Sequence, residues 1–340
     1  WKDDEAGLRA TAASAVKSLQ TLGSSAQPLT ELTTAPLLEA RRQYTDSFDE
    51  LQGGFGMAPK FPQPARLMFL LQDEPQASVD MALFTLDSML AGGIYDQLGG
   101  GFHRYSTDFE WRVPHFEKML YDQALIARAY LYAYRRSANK HYADTARATL
   151  DFTLREMRDP QGGFHAALSA DSPVPGSAQD HMEEGAFYTW NGRQLGEAIS
   201  DASLRDWVAA RFGLSELGNA VSDPLNEMSS KNVLYRALDT RELAQRFNVG
   251  LMTATRRNVE SERLLREARD RRPAVPVDDK VVAVWNGYMM TTLALAGRVL
   301  DEPRYIEAAR QTAEFVLNTL FDEKDALLYR DWSDGELGVP

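Results

Sequence analysis

The 340-residue sequence predicts an all-α fold, a ring of helical hairpins, on three observations. Most periodic stretches carry apolar residues at helical spacing, and nothing resembles a series of alternating parallel strands. A Gly-Gly-Phe punctuation also recurs, at Gly53-Gly54-Phe55, Gly100-Gly101-Phe102 and Gly162-Gly163-Phe164. Its spacings of 47 and 62 residues suit two helices plus loops, and Asp325 to Trp332 reads as a degenerate fourth copy. The glycines permit a tight turn or close backbone approach, and the phenylalanine can plug the core between neighbouring helices. Repeated hairpins close in a ring or extend as a solenoid. Alternation of apolar with polar helices favours the ring, because inner helices are covered nearly all round while outer ones are amphipathic.

In chain order, the first predicted helix runs from Leu37 to Leu51. Pro64 to Leu71 follows a Pro-rich turn. Ser78 to Leu90 carries Val79, Leu83, Leu86 and Leu90 as an i, i+4, i+7, i+11 stripe. Phe116 to Ser137 is the longest early helix, followed by Tyr142 to Met157. Arg193 to Ile199 and Leu204 to Phe212 are short. Thr240 to Phe247 and Thr255 to Arg271 are more polar and read as outer. Val282 to Leu300 is apolar on most sides, and Pro303 to Leu320 completes the set. Gly185 to Trp190 reads as brief strand or extended turn.

Lys and Arg total 37 and Asp and Glu 49, giving a formal charge of −12, which argues against binding a nucleic-acid backbone. With no cysteine, the chain holds no disulfide, thiolate metal site or cysteine nucleophile, and a cytoplasmic location fits. No apolar run is long enough for a spanning helix, so no membrane partner is expected. The acidic start at Trp1 and the uncapped end at Pro340 read as a chain already in progress. Gly99-Gly100-Gly101 lacks the Lys-Ser/Thr of a phosphate loop, so no nucleotide cofactor is expected.

Three segments carry the chemistry. The densest runs from Gly92 to Asp122 and holds two of the five histidines among acids and aromatics. Such a mixture suits a polar ligand with an apolar ring face. Its end, from Pro114 to Asp122, opens a helix on which Glu117 and Tyr121 share one face and Lys118 and Asp122 the next. The plainer reading has His115 and Glu117 capping a first turn. The second segment, Gly162 to Ser172, is followed by a polar loop with His181, Glu183 and Glu184 that reads as a lid or a solvated connection. In the third, Asp278 and Asp279 precede an apolar run holding Trp285 and Asn286. One acid suits an N-cap, and a buried Asn either braces backbone or meets a ligand. These residues permit glycosidic cleavage by facing carboxylates, or proton transfer beside a carbonyl by His or His/Glu. No metal motif and no Gly-x-Ser-x-Gly elbow is present, so neither a metal nor a serine triad is expected.

The segments resemble the YyaL-like, spermatogenesis-associated-protein-20-like family, described as thioredoxin domain-containing proteins. Gly53 to Pro62, Gly92 to Tyr105, Trp111 to Asp122, Gly162 to Asp171, Glu184 to Trp190 and Asp278 to Gly287 carry the match. They spread over about residues 37 to 334, while Gly218 to Asn232 departs from the pattern. The resemblance implies an (α/α)6 toroid, one domain over 1–340 and incomplete within these residues, related to N-acylglucosamine 2-epimerase and cellobiose 2-epimerase proteins. It also implies a thioredoxin-like domain before this region, and through it a redox partner.

The leading expectation is sugar epimerisation or isomerisation, with a small-molecule sugar as partner and no cofactor or metal. His103 and His115 are expected to transfer the proton. Asp96, Glu117 and Asp279 would orient hydroxyls or tune those histidines. Arg104 would hold an anionic group or enediolate oxygen, and Tyr105, Trp111, Trp190 and Trp285 would stack. Tyr121, Asp122, His165, Asp171, Glu184, Tyr188, Asp278, Lys280 and Asn286 match family motifs as further substrate-binding positions. The alternatives are a glycosidase pairing Asp96 or Asp279 with Glu117 or Asp171, and a non-catalytic binding or scaffold module.

Overall fold

A computed structural model describes residues 5–24, 33–177, 181–220 and 228–339. The acidic start at Trp1 to Asp4, the tip of the proposed lid at 178–180, the centre of the divergent stretch at 221–227 and Pro340 lie outside the described residues. The chain divides into two compact units, residues 1–43 and 44–340. In the first, α1 (Glu5–Ser24) exposes Leu8, Val16 and Leu19 and precedes every helix read from periodicity. The next helix, α2 (Ala35–Ser47), crosses the unit boundary. It stops short of the predicted Leu51 because Asp49 turns the chain, its Oδ1 accepting from the backbone N–H of Leu51 and Gln52.

The second unit is mostly helical and built from hairpins. α3 (Pro64–Gln72) pairs with α4 (Gln76–Ala91), and α5 (Leu120–Ser137) with α6 (Lys140–Glu156). Four helices then intervene: α7 (Gly192–Ala198), α8 (Ala202–Phe212), α9 (Thr240–Arg246) and α10 (Leu251–Arg269). They enclose their own core around Trp207, Phe212, Leu243 and Leu265. Next, α11 (Ala283–Val299) pairs with α12 (Pro303–Phe315). Local chemistry sets the tight turns. Ala138 adopts φ 58° to end α5, and Asn139 caps α6 by accepting from His141 N–H. Pro64 and Pro303 occupy first turns, where no N–H is needed. The inner helix α5 packs against both α3 and α11, so side-by-side hairpins repeat on the α/α-toroid plan that the sequence predicts.

The Gly-Gly-Phe loops are one structure built several times. Asp49 and Asp96 each turn their loop by accepting two backbone N–H groups, and Asp159 accepts from Gln161. In each loop the aspartate N–H meets the carbonyl of Gly54, Gly101 or Gly163. The chain then closes through the bridges Phe48 to Phe55, Tyr95 to Phe102 and Arg158 to Phe164. Gly53, Gly54, Gly100, Gly101 and Gly162 all take positive φ, which explains the residue type. The fourth copy is real but displaced from Asp325–Trp332. Asp322 accepts from Lys324 and Asp325, Ala326 takes φ 53°, and Phe321 pairs with Leu328.

Short strands carry the loops over the inner helices. β1 (Tyr105–Ser106) pairs with β2 (Pro114–His115), and β3 (Lys118–Met119) with β4 (Ala167–Leu168). β5 (Asp171–Pro173) pairs with β6 (Met182–Glu184), placing the described part of the proposed lid in a hairpin. β7 (Val277–Asp278) joins β4, and β8 (Val281–Val282) leads into α11. Residues 116–119, predicted as helix, are therefore extended, because β4 pairs with Lys118 and Met119.

Candidate functional site

The extended approach to α5 decides the site. Successive side chains alternate sides, so Glu117 and Lys118 enter different environments. They do not form the helical pairs Glu117–Tyr121 and Lys118–Asp122 expected from i, i+4 spacing.

On the Glu117 side a half-buried acid–base cluster forms. His115 Nδ1 lies 2.7 Å from Glu184 Oε1 and its Nε2 is 3.7 Å from Glu117 Oε2. The first contact is a hydrogen bond and the second is too long for one, so Nε2 is the ring edge left toward a ligand. Glu184 Oε1 also lies 3.3 Å from Phe116 N–H. The bond to Glu184 raises the His115 pKa against the opposing effect of burial, and the same bond lowers that of Glu184. Arg104 Nη1 donates to Glu117 Oε2 at 2.8 Å, while its buried Nε has no hydrogen-bond partner. Asp122 lies in the first turn of α5 with Oδ2 buried and unpartnered, and burial pushes its carboxyl up to about 8. It is a neutral acid at pH 7.

Aromatic rings flank these groups. Tyr105 stacks on His115 with centroids 5.0 Å apart, as their register across β1 and β2 requires. Phe61 lies 4.9 Å beyond Tyr105, and Trp285 meets Tyr121 edge-on at 5.1 Å. The last contact joins the first turns of α5 and α11.

On the other side, Lys118 is fully buried and donates to Asp96 Oδ2 at 2.9 Å and to Gly100 O. Arg269 of α10 donates to Asp96 Oδ1 at 2.7 Å. Burial alone would raise the Asp96 carboxyl, but the two cations hold it well below the usual range. Asp96 is thus the turn residue of its loop, already engaged by four donors. Lys60 repeats the arrangement one hairpin earlier, bonding Asp49 at 2.6 Å and Gly53 O. Hydroxyl-orienting and glycosidase roles for Asp96 have no open acceptor to work with. His103 is also in this interior, 2% exposed, donating Nδ1–H to Phe116 O and packed against Phe116 and Tyr188. Burial, then the charge of Lys118, pushes its pKa down to about 3. The structure therefore does not bring His103 into the His115 cluster, and a two-histidine relay lacks its second member.

The other motif residues divide similarly. Trp111 is fully buried with Nε1–H on Gln52 O and Gly53 O, a core brace in place of a stacking face. Trp190 is 2% exposed under Arg272. Tyr188 is buried, its hydroxyl pKa pushed up by burial. Asn286 clamps both backbone groups of Phe164, as Gln123 clamps Phe102; it braces backbone. At the neighbouring rim, His165 lies 3.1 Å from Asp279 O, and Lys280 pairs with Asp278 at 3.2 Å. Asp171 sits opposite Glu184 across β5 and β6. No group of three His, Asp or Glu among the described residues could hold a metal ion.

Sequence reasoning missed Phe61, Arg269 and Arg272. The signal for Arg266 and Arg269 was their three-residue spacing, which puts them on one helical face, whereas Arg272 lies beyond the end of α10 and carried none.

Repeated hairpins with aspartate-turned loops, carrying acid–base groups over the first turns of inner helices, define an α/α-toroid protein. No family model matches the chain. Spermatogenesis-associated protein 20 of Homo sapiens is 37% identical over 317 residues, 88% of this chain and 40% of that protein. An uncharacterized protein of Caenorhabditis elegans is 34% identical over 340 residues, 95% of this chain and 46% of that one. Over the matched segment the chain is homologous to spermatogenesis-associated protein 20, and it spans less than half the length of these curated relatives. Among solved structures, cellobiose 2-epimerase from Bacillus thermoamylovorans gives a TM-score of 0.35 at 12% identity, covering 90% of this chain and 94% of that one. A D-mannose isomerase gives 0.35 at 11%, covering 91% and 93%. Superpositions this low lend nothing to the assignment of an activity.

Proposed function

We propose that this protein moves a proton on a small carbohydrate, as a sugar epimerase or isomerase does, at the cluster centred on His115. The observation that carries the reading is His115, held between Glu184 and Glu117 beside the Arg104 guanidinium. A carboxylate on Nδ1–H fixes the tautomer and leaves Nε2 basic. In the proposed step Nε2 takes the proton from the carbon next to the sugar carbonyl. The C–H electron pair passes into the carbonyl, and Arg104 stabilises the resulting enediolate oxygen. A proton returned to the opposite face of that carbon completes epimerisation; returned to the former carbonyl carbon, while the proton of the neighbouring hydroxyl passes to the former carbonyl oxygen, it completes isomerisation. Phe61, Tyr105 and Trp285 supply ring surface, and the neutral Asp122 carboxyl is a second proton donor.

A second reading rests on Asp122 itself. A protonated carboxyl near the Glu117 carboxylate is the acid and base pairing of a glycosidase. Proton NMR of the protein with reducing mono- and disaccharides separates the two readings. The epimerase reading expects new epimer or ketose signals, and His115→Asn reduces their rate by about 100-fold or more. Unchanged turnover in that variant overturns it. Release of new reducing ends, lost in Asp122→Asn, selects hydrolysis.

A further inference from the structure

Behind the strand that presents Glu117 lies a separate cavity of about 600 Å³, of a size that holds a small metabolite. Its charged lining is unusual for a chain with a formal charge of −12. Five cations line it: Lys118, Arg155, Arg266, Arg269 and Arg272. The acids are Asp96, Glu156 and Asp270, so five minus three leaves an excess of two positive charges.

The partners sharpen the imbalance. Glu156 pairs with Arg155. Asp96 is shared by Lys118 and Arg269, so this buried trio keeps one net positive charge. Arg269 is 5% exposed, and its Nε is buried without a hydrogen-bond partner. Arg272 meets no carboxylate among the described residues. It donates instead to the carbonyls of Ala186, Phe187 and Thr189, and its guanidinium lies over Trp190 at 4.1 Å. Burial, then the charge of Arg269, pushes its pKa down to about 10, so it stays charged at pH 7. Positive charge withdrawn from water is costly unless an anion or a dipole compensates it. Here one acid and four carbonyls serve two buried cations, Lys118 and Arg269, and the partly buried Arg272.

We propose that this cavity binds a small metabolite carrying a multiply charged oxyanion, a phosphate ester or a cluster of carboxylates, held by Arg269, Arg272 and Lys118. Phe187 and Tyr188 would cover its uncharged portion, and Arg266, at the exposed end of α10, would meet the anion as it enters. Arginine forks suit such oxygens because they donate two parallel hydrogen bonds. The inference goes beyond the proton-transfer reading and depends on none of the residues in the His115 cluster.

Isothermal titration calorimetry of the 340-residue chain tests it, with pyrophosphate, glucose 6-phosphate, citrate and uncharged glucose as probes. Saturable binding that depends on Arg272 is expected for glucose 6-phosphate or pyrophosphate if the oxyanion is phosphate, and for citrate if it is carboxylate, whereas any heat from glucose, a candidate ligand of the His115 cluster, is unchanged in the Arg272→Met variant. Arg272→Met should weaken binding by about tenfold or more. Arg266→Gln, on an exposed helix face where folding is not at risk, should weaken it several-fold. Two results overturn the proposal: no saturable binding of any charged probe at about 10 mM, or binding that is unchanged in both variants.

Discussion

The two histidines of the densest motif show how neighbours decide a residue's chemistry. His103 titrates near 3 when folded against an ordinary 6.5, because burial and Lys118 oppose its charge. Between those values the unfolded chain binds the extra proton, so stability falls as the solution is acidified from about pH 6.5 toward 3. His103→Gln should flatten that limb in urea unfolding measured at several pH values. His115 shifts the other way, and its folded-state stabilisation is present below 6.5 and lost as pH rises through its raised pKa. A base must be deprotonated to act, so turnover should rise with pH through a value above 6.5. Glu184→Gln removes the largest cause of the shift, and the midpoint of that profile should move downward. The identities and spacing of His103 and His115 were plain in the sequence. Their separation was not, because it depends on Lys118 turning inward and on Glu184, 69 residues away, reaching His115.

The recurring element is the aspartate-turned glycine loop. The Gly-Gly-Phe repeat was legible, and its displaced fourth copy at Phe321–Leu328 nearly so. The buried cation that completes two copies was hidden, because Lys60 follows its aspartate by 11 residues and Lys118 follows its own by 22. In the third copy Val281 occupies the corresponding place beside Gly163, and no lysine reaches Asp159 among the described contacts. Glycine is required to different degrees along the loops. Gly101 has φ 78°, and a Cβ there would lie 2.5 Å from the Phe152 ring. Gly56 has a similar φ of 80° with open space around it. Gly56→Ala should cost about 1–2 kcal/mol for its backbone conformation alone. Gly101→Ala adds overpacking of about 1–3 kcal/mol. Urea denaturation of the two variants gives the comparison directly; equal losses would show that the close approach to Phe152 is relieved cheaply.

Across the second unit, hairpins α3/α4, α5/α6 and α11/α12 stand side by side although four helices separate α6 from α11 in sequence. That intervening group carries Arg269 to the loop aspartate Asp96, tying the two parts of the unit by a buried ion pair. The helical class and hairpin repeat were readable from periodicity. The α7–α10 excursion was readable only as two short helices followed by two polar outer ones, since pairing across 173 residues leaves no local pattern. None of its helices, nor any other among the described residues, is long and apolar enough to cross a membrane. The arrangement leaves two polar environments back to back: the His115 cluster over the first turns of α5 and α11, and the cationic cavity behind it. The central claim concerns the first. Its most direct test is mass spectrometry of a reducing sugar turned over in deuterium oxide. The account predicts deuterium at the carbon next to the carbonyl, accumulating with product and lost in His115→Asn. Product formed without deuterium, or equal incorporation in that variant, would contradict it.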